Sequence, residues 1–98
     1  MNLQSLFLDE SCWTKGNYTK NKNGANVGIF DESCCSWCLL GAINKCYNKP
    51  ERQNCLEVVE KVKEYLEKTG FTGTISAFND SPGTNFDDIL NLIRALDI

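Results

Sequence analysis

The chain contains no histidine. That absence removes every Cys–His and Ser–His nucleophile–base pair and every imidazole-ligated metal site. No apolar run approaches the ~18 residues needed to cross a bilayer. No basic segment followed by an apolar one marks a secretory leader, and there is no Gly-rich phosphate loop. Lysine and arginine are nowhere dense: the closest run, Lys15 to Lys22, holds three lysines among asparagines. With a net charge of −3, a nucleic-acid surface is not expected, since such surfaces show a basic stripe. Proline occurs twice, at Pro50 and Pro82, and each marks a break in the pattern.

What is present describes one globular unit. Ninety-eight residues, 42% hydrophobic and 23% charged, make a single domain over residues 1–98 with one modest core. Without a leader or a membrane span, the expected location is the cytoplasm. In a reducing compartment the six cysteines read as free thiols rather than as a disulfide framework.

The stretch Asp31–Tyr47, DESCCSWCLLGAINKCY, predicts a central helix that is apolar nearly all round. Cys35, Cys38, Leu39, Ala42, Ile43 and Cys46 form one stripe, and Trp37, Leu40 and Tyr47 another. Asp31 or Ser33 is the expected cap, Asn48-Lys49-Pro50 the expected stop. Gly41 inside it implies close packing. Before it, residues 2–8 suggest a short helix or extended lead-in. Residues 17–30 suggest a hairpin turning at Asn23-Gly24, with Val27, Ile29 and Phe30 on its second strand.

After Pro50, residues 50–69 predict an amphipathic helix burying Cys55, Val58, Val59, Val62, Tyr65 and Leu66, closed by Gly70. Glu57–Lys61 and Glu64–Lys68 stand at favourable i, i+4 spacing. Phe71 to Phe78 suggests a strand or extended connection. A turn at Asn79–Gly83 leads to a last helix with a capping box at Thr84 and Asp87, burying Phe86, Ile89, Leu90 and Ile93. The expected class is α+β: a mainly helical domain of three to four helices, with a short β-hairpin on a central buried helix. That helix would sit between the 50–69 helix and the last one.

Candidate chemistry is sparse. Cys34, Cys35 and Cys38, with Cys12, Cys46 or Cys55, invite a zinc reading, but no second C-x-x-C completes it, and core packing is favoured. A thiol nucleophile at Cys34 or Cys35 lacks a base, with Glu32 and Asp80 as poor substitutes. Asn79 and Asp80, before a helix start, are the best polar candidates, weighed against simple turn-building. Trp13, Tyr18 and Phe30 make a candidate aromatic patch, weighed against core packing for Trp13 and Phe30.

Three segments together carry a family resemblance: Trp13-Thr14-Lys15-Gly16 with the following Asn-Gly turn, Trp37-Cys38-Leu39-Leu40-Gly41-Ala42-Ile43, and Phe78-Asn79-Asp80-Ser81-Pro82-Gly83-Thr84 before a terminal amphipathic helix. In order and spacing they resemble the small domain of unknown function DUF6197, found in phages and bacterial genomes, with its W-x-x-G, C-x-x-G-A and W/F-N-D-x-P-G pieces. The resemblance spans roughly residues 11 to 96. It implies a mobile-element or phage setting and no established activity. The chain departs from the family in its short N-terminal helix and its extra cysteines, Cys34, Cys35, Cys46 and Cys55.

These readings favour a small cytoplasmic phage or mobile-element accessory protein acting as a non-enzymatic binding module. It would dock on a host or phage protein, a defence-system component among them, without cofactor, metal, catalytic residue or membrane. The expected binding residues are Trp13, Tyr18, Trp37, Asn79 and Asp80. The alternatives are a small-ligand or enzymatic site on Asn79, Asp80 and a helix-start cysteine, and a zinc-stabilised module.

Overall fold

A computed structural model describes residues 2–47 and 52–98, with side chains from residue 55 onward in the second segment. The class is α+β. Five α-helices among the described residues are α1 (Leu3–Leu6), α2 (Leu39–Cys46), α3 (Arg52–Lys68), α4 (Ile75–Asp80) and α5 (Phe86–Leu96). A 3-10 turn covers Glu10–Cys12. Strands β1 (Thr19–Asn21) and β2 (Cys34–Trp37) pair antiparallel, Thr19 opposite Trp37 and Lys20 opposite Ser36. Between Lys20 and Asn21 the register slips, so Asn21 faces Cys34.

The central helix is half as long as its composition suggests. Cys34–Trp37 is strand, and α2 begins only at Leu39. Cys34 is half-buried, Cys35 exposed, and Ser36 and Trp37 both buried, and a segment apolar nearly all round carries no period that separates strand from helix. The cap is Cys38, whose Sγ accepts from the Gly41 N–H at 3.3 Å, and not Asp31 or Ser33. The Asn48-Lys49-Pro50 stop lies outside the described residues.

The hairpin also closes differently. Asn23-Gly24 does turn the chain, with Gly24 at φ +82 and its N–H on the Asn21 carbonyl. The returning segment Val27–Phe30 forms no ladder, and the partner strand is β2. Asn21 explains why: its side-chain oxygen takes the N–H groups of Asn23 and Ala25, closing a local loop at the point where a second strand would have to start.

Residues 71–78, read as extended, instead enter α4. Thr74 caps it by accepting the Ala77 N–H at 3.0 Å, and Phe71 stacks edge-on against Phe78 at 5.4 Å. The capping box of α5 lies one residue later than expected: Asn85 takes the Asp88 N–H and Asp88 returns to the Asn85 N–H, both at 2.9 Å.

The core is one cluster, with Leu3, Leu39, Ile43, Val62, Ile89, Leu92 and Ile93 at its centre. Helix α2 packs on α1, α3 and α4, whereas α5 lies against α1 and α3. Helix α3 buries the expected Val58, Val62 and Leu66, with Cys55, Val59 and Tyr65 half-buried beside them. Its wet face forms Lys63–Glu60 at 3.8 Å rather than the two expected pairs. Exposed pairs of this kind contribute little. Gly70 closes α3 at φ +89, as expected of a C′ residue. Among the described residues no helix is long and apolar enough to cross a membrane.

Candidate functional site

The three motif segments meet at one buried amide. Asn79, at the end of α4, has no exposed surface. Its Oδ1 accepts from the Trp13 indole N–H at 2.7 Å and from the Leu39 backbone N–H at 2.9 Å. Its Nδ2 donates to the Thr14 carbonyl at 2.9 Å and to Asp80 Oδ1 at 3.0 Å. One side chain thus ties the Trp13–Gly16 segment, the first turn of α2 and α4 together. A buried amide bonded at every lone pair and proton it offers is a stabilising network rather than a vacant recognition group.

Neighbouring groups complete the lock. Asp80 Oδ1 also takes the Gly16 N–H at 2.9 Å, and Gly16 stands at φ +77, where a side chain would be strained. Lys15 donates to the Ser81 carbonyl at 2.8 Å and lies 5.3 Å from the centre of the Trp13 ring. Trp13 is half-buried with its ring 6.1 Å from Phe86. The Thr14 N–H donates to the Trp37 carbonyl at 3.1 Å. Trp37 is buried, and its indole N–H finds no acceptor among the described residues.

Of the expected site residues, Trp13, Asn79 and Asp80 are therefore in direct contact, with Trp37 one hydrogen bond away through Thr14. Tyr18 shares only a cleft with Asp80 and otherwise lies against α2. It is 41% exposed, and its hydroxyl accepts from Asn44. Phe30 is 53% exposed, with Lys45 Nζ 4.8 Å from its ring centre. Two half-exposed aromatic rings are thus held by two consecutive α2 residues, Asn44 and Lys45. The hairpin reading grouped Tyr18 with Phe30 but gave no sign that α2 anchors both.

A small cleft of about 140 Å³ lies beside the lock, lined by Gly16, Asn17, Tyr18, Cys38, Ser76 and Asp80. The helix-start cysteine in it is Cys38, not Cys34 or Cys35. Burial pushes its thiol above the ordinary range, the helix N–H groups oppose that, and Asp80 adds to it. A larger cleft of about 330 Å³ at the end of α3, lined by Leu66, Phe71 and Gly73 among others, holds none of the motif residues and no thiol.

The sulfurs are separated. Cys35 is exposed, Cys34 half-buried on β2, and Cys38 and Cys46 buried. Among the described residues no three Cys, Asp or Glu side chains converge to hold a metal. Burial raises the thiols of Cys34 and Cys46, the latter from 9.0 to about 11. The folded state therefore holds its Cys46 proton more tightly than the unfolded chain does. The stability this contributes is complete below pH 9 and is lost as pH rises from 9 to about 11. A Cys46→Ala variant should show a shallower loss across that window in urea denaturation. An identical slope would mean the thiol is not the titrating group. With iodoacetamide at neutral pH, Cys35 should label first and Cys46 only on unfolding.

Fold and site define a small helical α+β module whose signature residues hold its elements together. The chain belongs to DUF6197, a family of unknown function, whose profile matches residues 5–96. No curated protein and no solved structure matches the chain.

Proposed function

We propose that this protein is a non-enzymatic binding module that docks on another protein through the Tyr18–Phe30 surface of α2. The observation that carries this reading is that two half-exposed rings each contact α2, Tyr18 through Asn44 and Phe30 through Lys45. Aromatic side chains fixed in place lose little entropy on binding and dominate interface energetics. Asn79 is buried and saturated, and Asp80, exposed at the end of α4, is bonded to Gly16 and Asn79. The setting, a phage or mobile-element accessory protein acting in a host cytoplasm on a host or phage protein, defence components included, is proposed from the family resemblance.

The test is a tagged wild-type chain against a Tyr18→Ala/Phe30→Ala variant in lysate of the source cells, with urea denaturation of both. The expected result is a stoichiometric partner retained by wild type and lost by the variant, with stability changed by less than about 1 kcal/mol, as for exposed sites. Equal retention by both proteins removes the docking reading.

The small-ligand alternative rests on the cleft that joins Cys38 to Asp80. At about 140 Å³ it lies below the roughly 300–1,000 Å³ of ordinary ligand pockets, and its thiol is raised rather than activated. Docking accounts for the exposed surface better.

A further inference from the structure

Resting on that docking reading, we infer that the partner inserts an arginine side chain into the cleft beside Tyr18, its guanidinium meeting the Asp80 carboxylate, the Ser76 hydroxyl and the Asn17 side-chain amide. One cleft of about 140 Å³ is lined by all four residues, with Gly16 and Cys38 completing its wall. That volume is short of a ligand pocket and suits the planar head of one side chain. Tyr18 belongs both to this cleft and to the exposed surface on α2, so a segment docked at Tyr18 passes the mouth of the cleft.

The polar groups here are fixed yet open. Both hydrogen bonds that Asp80 accepts fall on Oδ1, from the Gly16 N–H at 2.9 Å and from Asn79 Nδ2 at 3.0 Å. They hold the carboxylate in place and leave Oδ2 without a protein partner. Among the described residues the Ser76 hydroxyl and the Asn17 side-chain amide have no hydrogen-bond partner either. Charge in the cleft has one sign. No lysine or arginine lines it, Lys20 and Lys22 included. Lys15, beside Gly16 in sequence, is turned onto the Ser81 carbonyl and the Trp13 ring. Among the described residues no ammonium lies within 4 Å of Asp80, since the only such pair is Lys63–Glu60. Burial and the Asp80 carboxylate both favour the protonated, uncharged thiol of Cys38.

A held carboxylate oxygen, a hydroxyl and an amide oxygen, with no cation among them, complement a cationic group that carries several donors. Guanidinium holds its N–H groups in one rigid plane and is weakly hydrated, whereas an ammonium is compact and keeps its water strongly. Guanidinium therefore loses less on entering a small cleft and reaches separate acceptors at once. Its bonds to carboxylate are of the strong, charge-assisted kind, and a carboxylate already fixed lowers the ordering cost of binding.

The experiment titrates the 15N-labelled full chain with the Nα-acetyl amides of arginine, citrulline and lysine, followed by NMR. Citrulline keeps the length and shape of arginine without its charge. The arginine compound should shift the amide resonances of Gly16, Asn17, Tyr18 and Asp80 saturably, the lysine compound should bind more weakly, and the citrulline compound should not saturate. Raised salt should weaken the arginine compound. Asp80→Asn keeps the Oδ1 that holds Gly16 and removes the charge, and should bind at least about fivefold more weakly. Ser76→Ala, at an exposed position, should also weaken binding and serves if Asp80→Asn does not fold; urea denaturation checks both. The inference is overturned by the absence of a saturable shift with arginine, by equal binding of citrulline, by lysine binding as tightly, or by wild-type affinity in folded Asp80→Asn. Capture from lysate separates the two claims. If the partner is lost from Tyr18→Ala/Phe30→Ala and kept by Asp80→Asn and Ser76→Ala, docking stands and the inserted arginine falls. If every variant keeps the partner, both fall.

Discussion

Replacing Asn79 with leucine is expected to remove about 4 kcal/mol of stability, enough to unfold a domain of this size under mild conditions. Two N–H donors, from Trp13 and Leu39, lose their acceptor in a site with no exposure, at roughly 1–3 kcal/mol each. The Thr14 carbonyl loses its donor as well. Leucine keeps the branching and heavy-atom count of asparagine, so no cavity opens, and its bulkier methyl groups add an overpacking cost to the loss of the polar network. Marginal domains hold only about 5–15 kcal/mol in total. Urea denaturation decides the matter, and a loss under about 1 kcal/mol would mean that water or relaxed backbone replaces the amide.

An Asn79→Asp variant refines the same claim. It keeps the oxygen that faces Trp13 and Leu39, but places a second oxygen against the Thr14 carbonyl and the Asp80 carboxylate, where Nδ2 now donates. The new carboxyl is buried beside a like charge, so its pKa is raised in the folded state. Stability should be greatest where that group is protonated and should fall as pH rises through its folded-state pKa. The variant is therefore expected to recover part of its loss in acid, while Asn79→Leu does not.

Much of this architecture is legible from residue order. The α3 stripe of Val58, Val62 and Leu66 and the closing Gly70 follow from helical period and cap chemistry. The segment before α2 is less legible, because Cys34–Tyr47 is apolar at nearly every position and so satisfies both the 2.0 and the 3.6 period. The deciding event is tertiary: β1 arrives to pair with Cys34–Trp37, and Cys38 then caps the helix with sulfur. The lock itself was half visible. Asn79 reads as a polar residue within a turn that precedes a helix start, yet its partners at Trp13, Thr14 and Leu39 are 66, 65 and 40 positions away, beyond any local pattern. The α4 helix is hidden in the sequence because Thr72, Thr74 and Ile75 favour strand, whereas Thr74 acts here as an N-cap.

Gly41→Ala is expected to destabilise the protein by up to about 2 kcal/mol, the opposite of what the substitution does in an ordinary helix. Alanine is favoured over glycine inside a helix by roughly 1 kcal/mol, so propensity alone predicts a gain. At this position a Cβ would stand 2.6 Å from the Tyr18 carbonyl oxygen, too close for contact. That oxygen accepts the Cys38 N–H at 3.1 Å, so it cannot turn aside without opening the junction between β1 and the start of α2. Overpacking against fixed backbone costs about 1–3 kcal/mol and outweighs the propensity gain when the obstructing atom is a bonded carbonyl. Gly83→Ala is the control, since nothing lies within 4 Å of its added Cβ, and it should be nearly neutral. The consequence reaches the surface: displacing Tyr18 from α2 also moves its ring off Asn44. Gly41→Ala should therefore weaken partner capture even at temperatures where the variant stays folded, whereas Gly83→Ala should capture like wild type. A Gly41→Ala protein as stable as wild type in urea would show that the Tyr18 backbone gives way freely. The close approach of β1 to α2 would then not be what holds the aromatic surface in place.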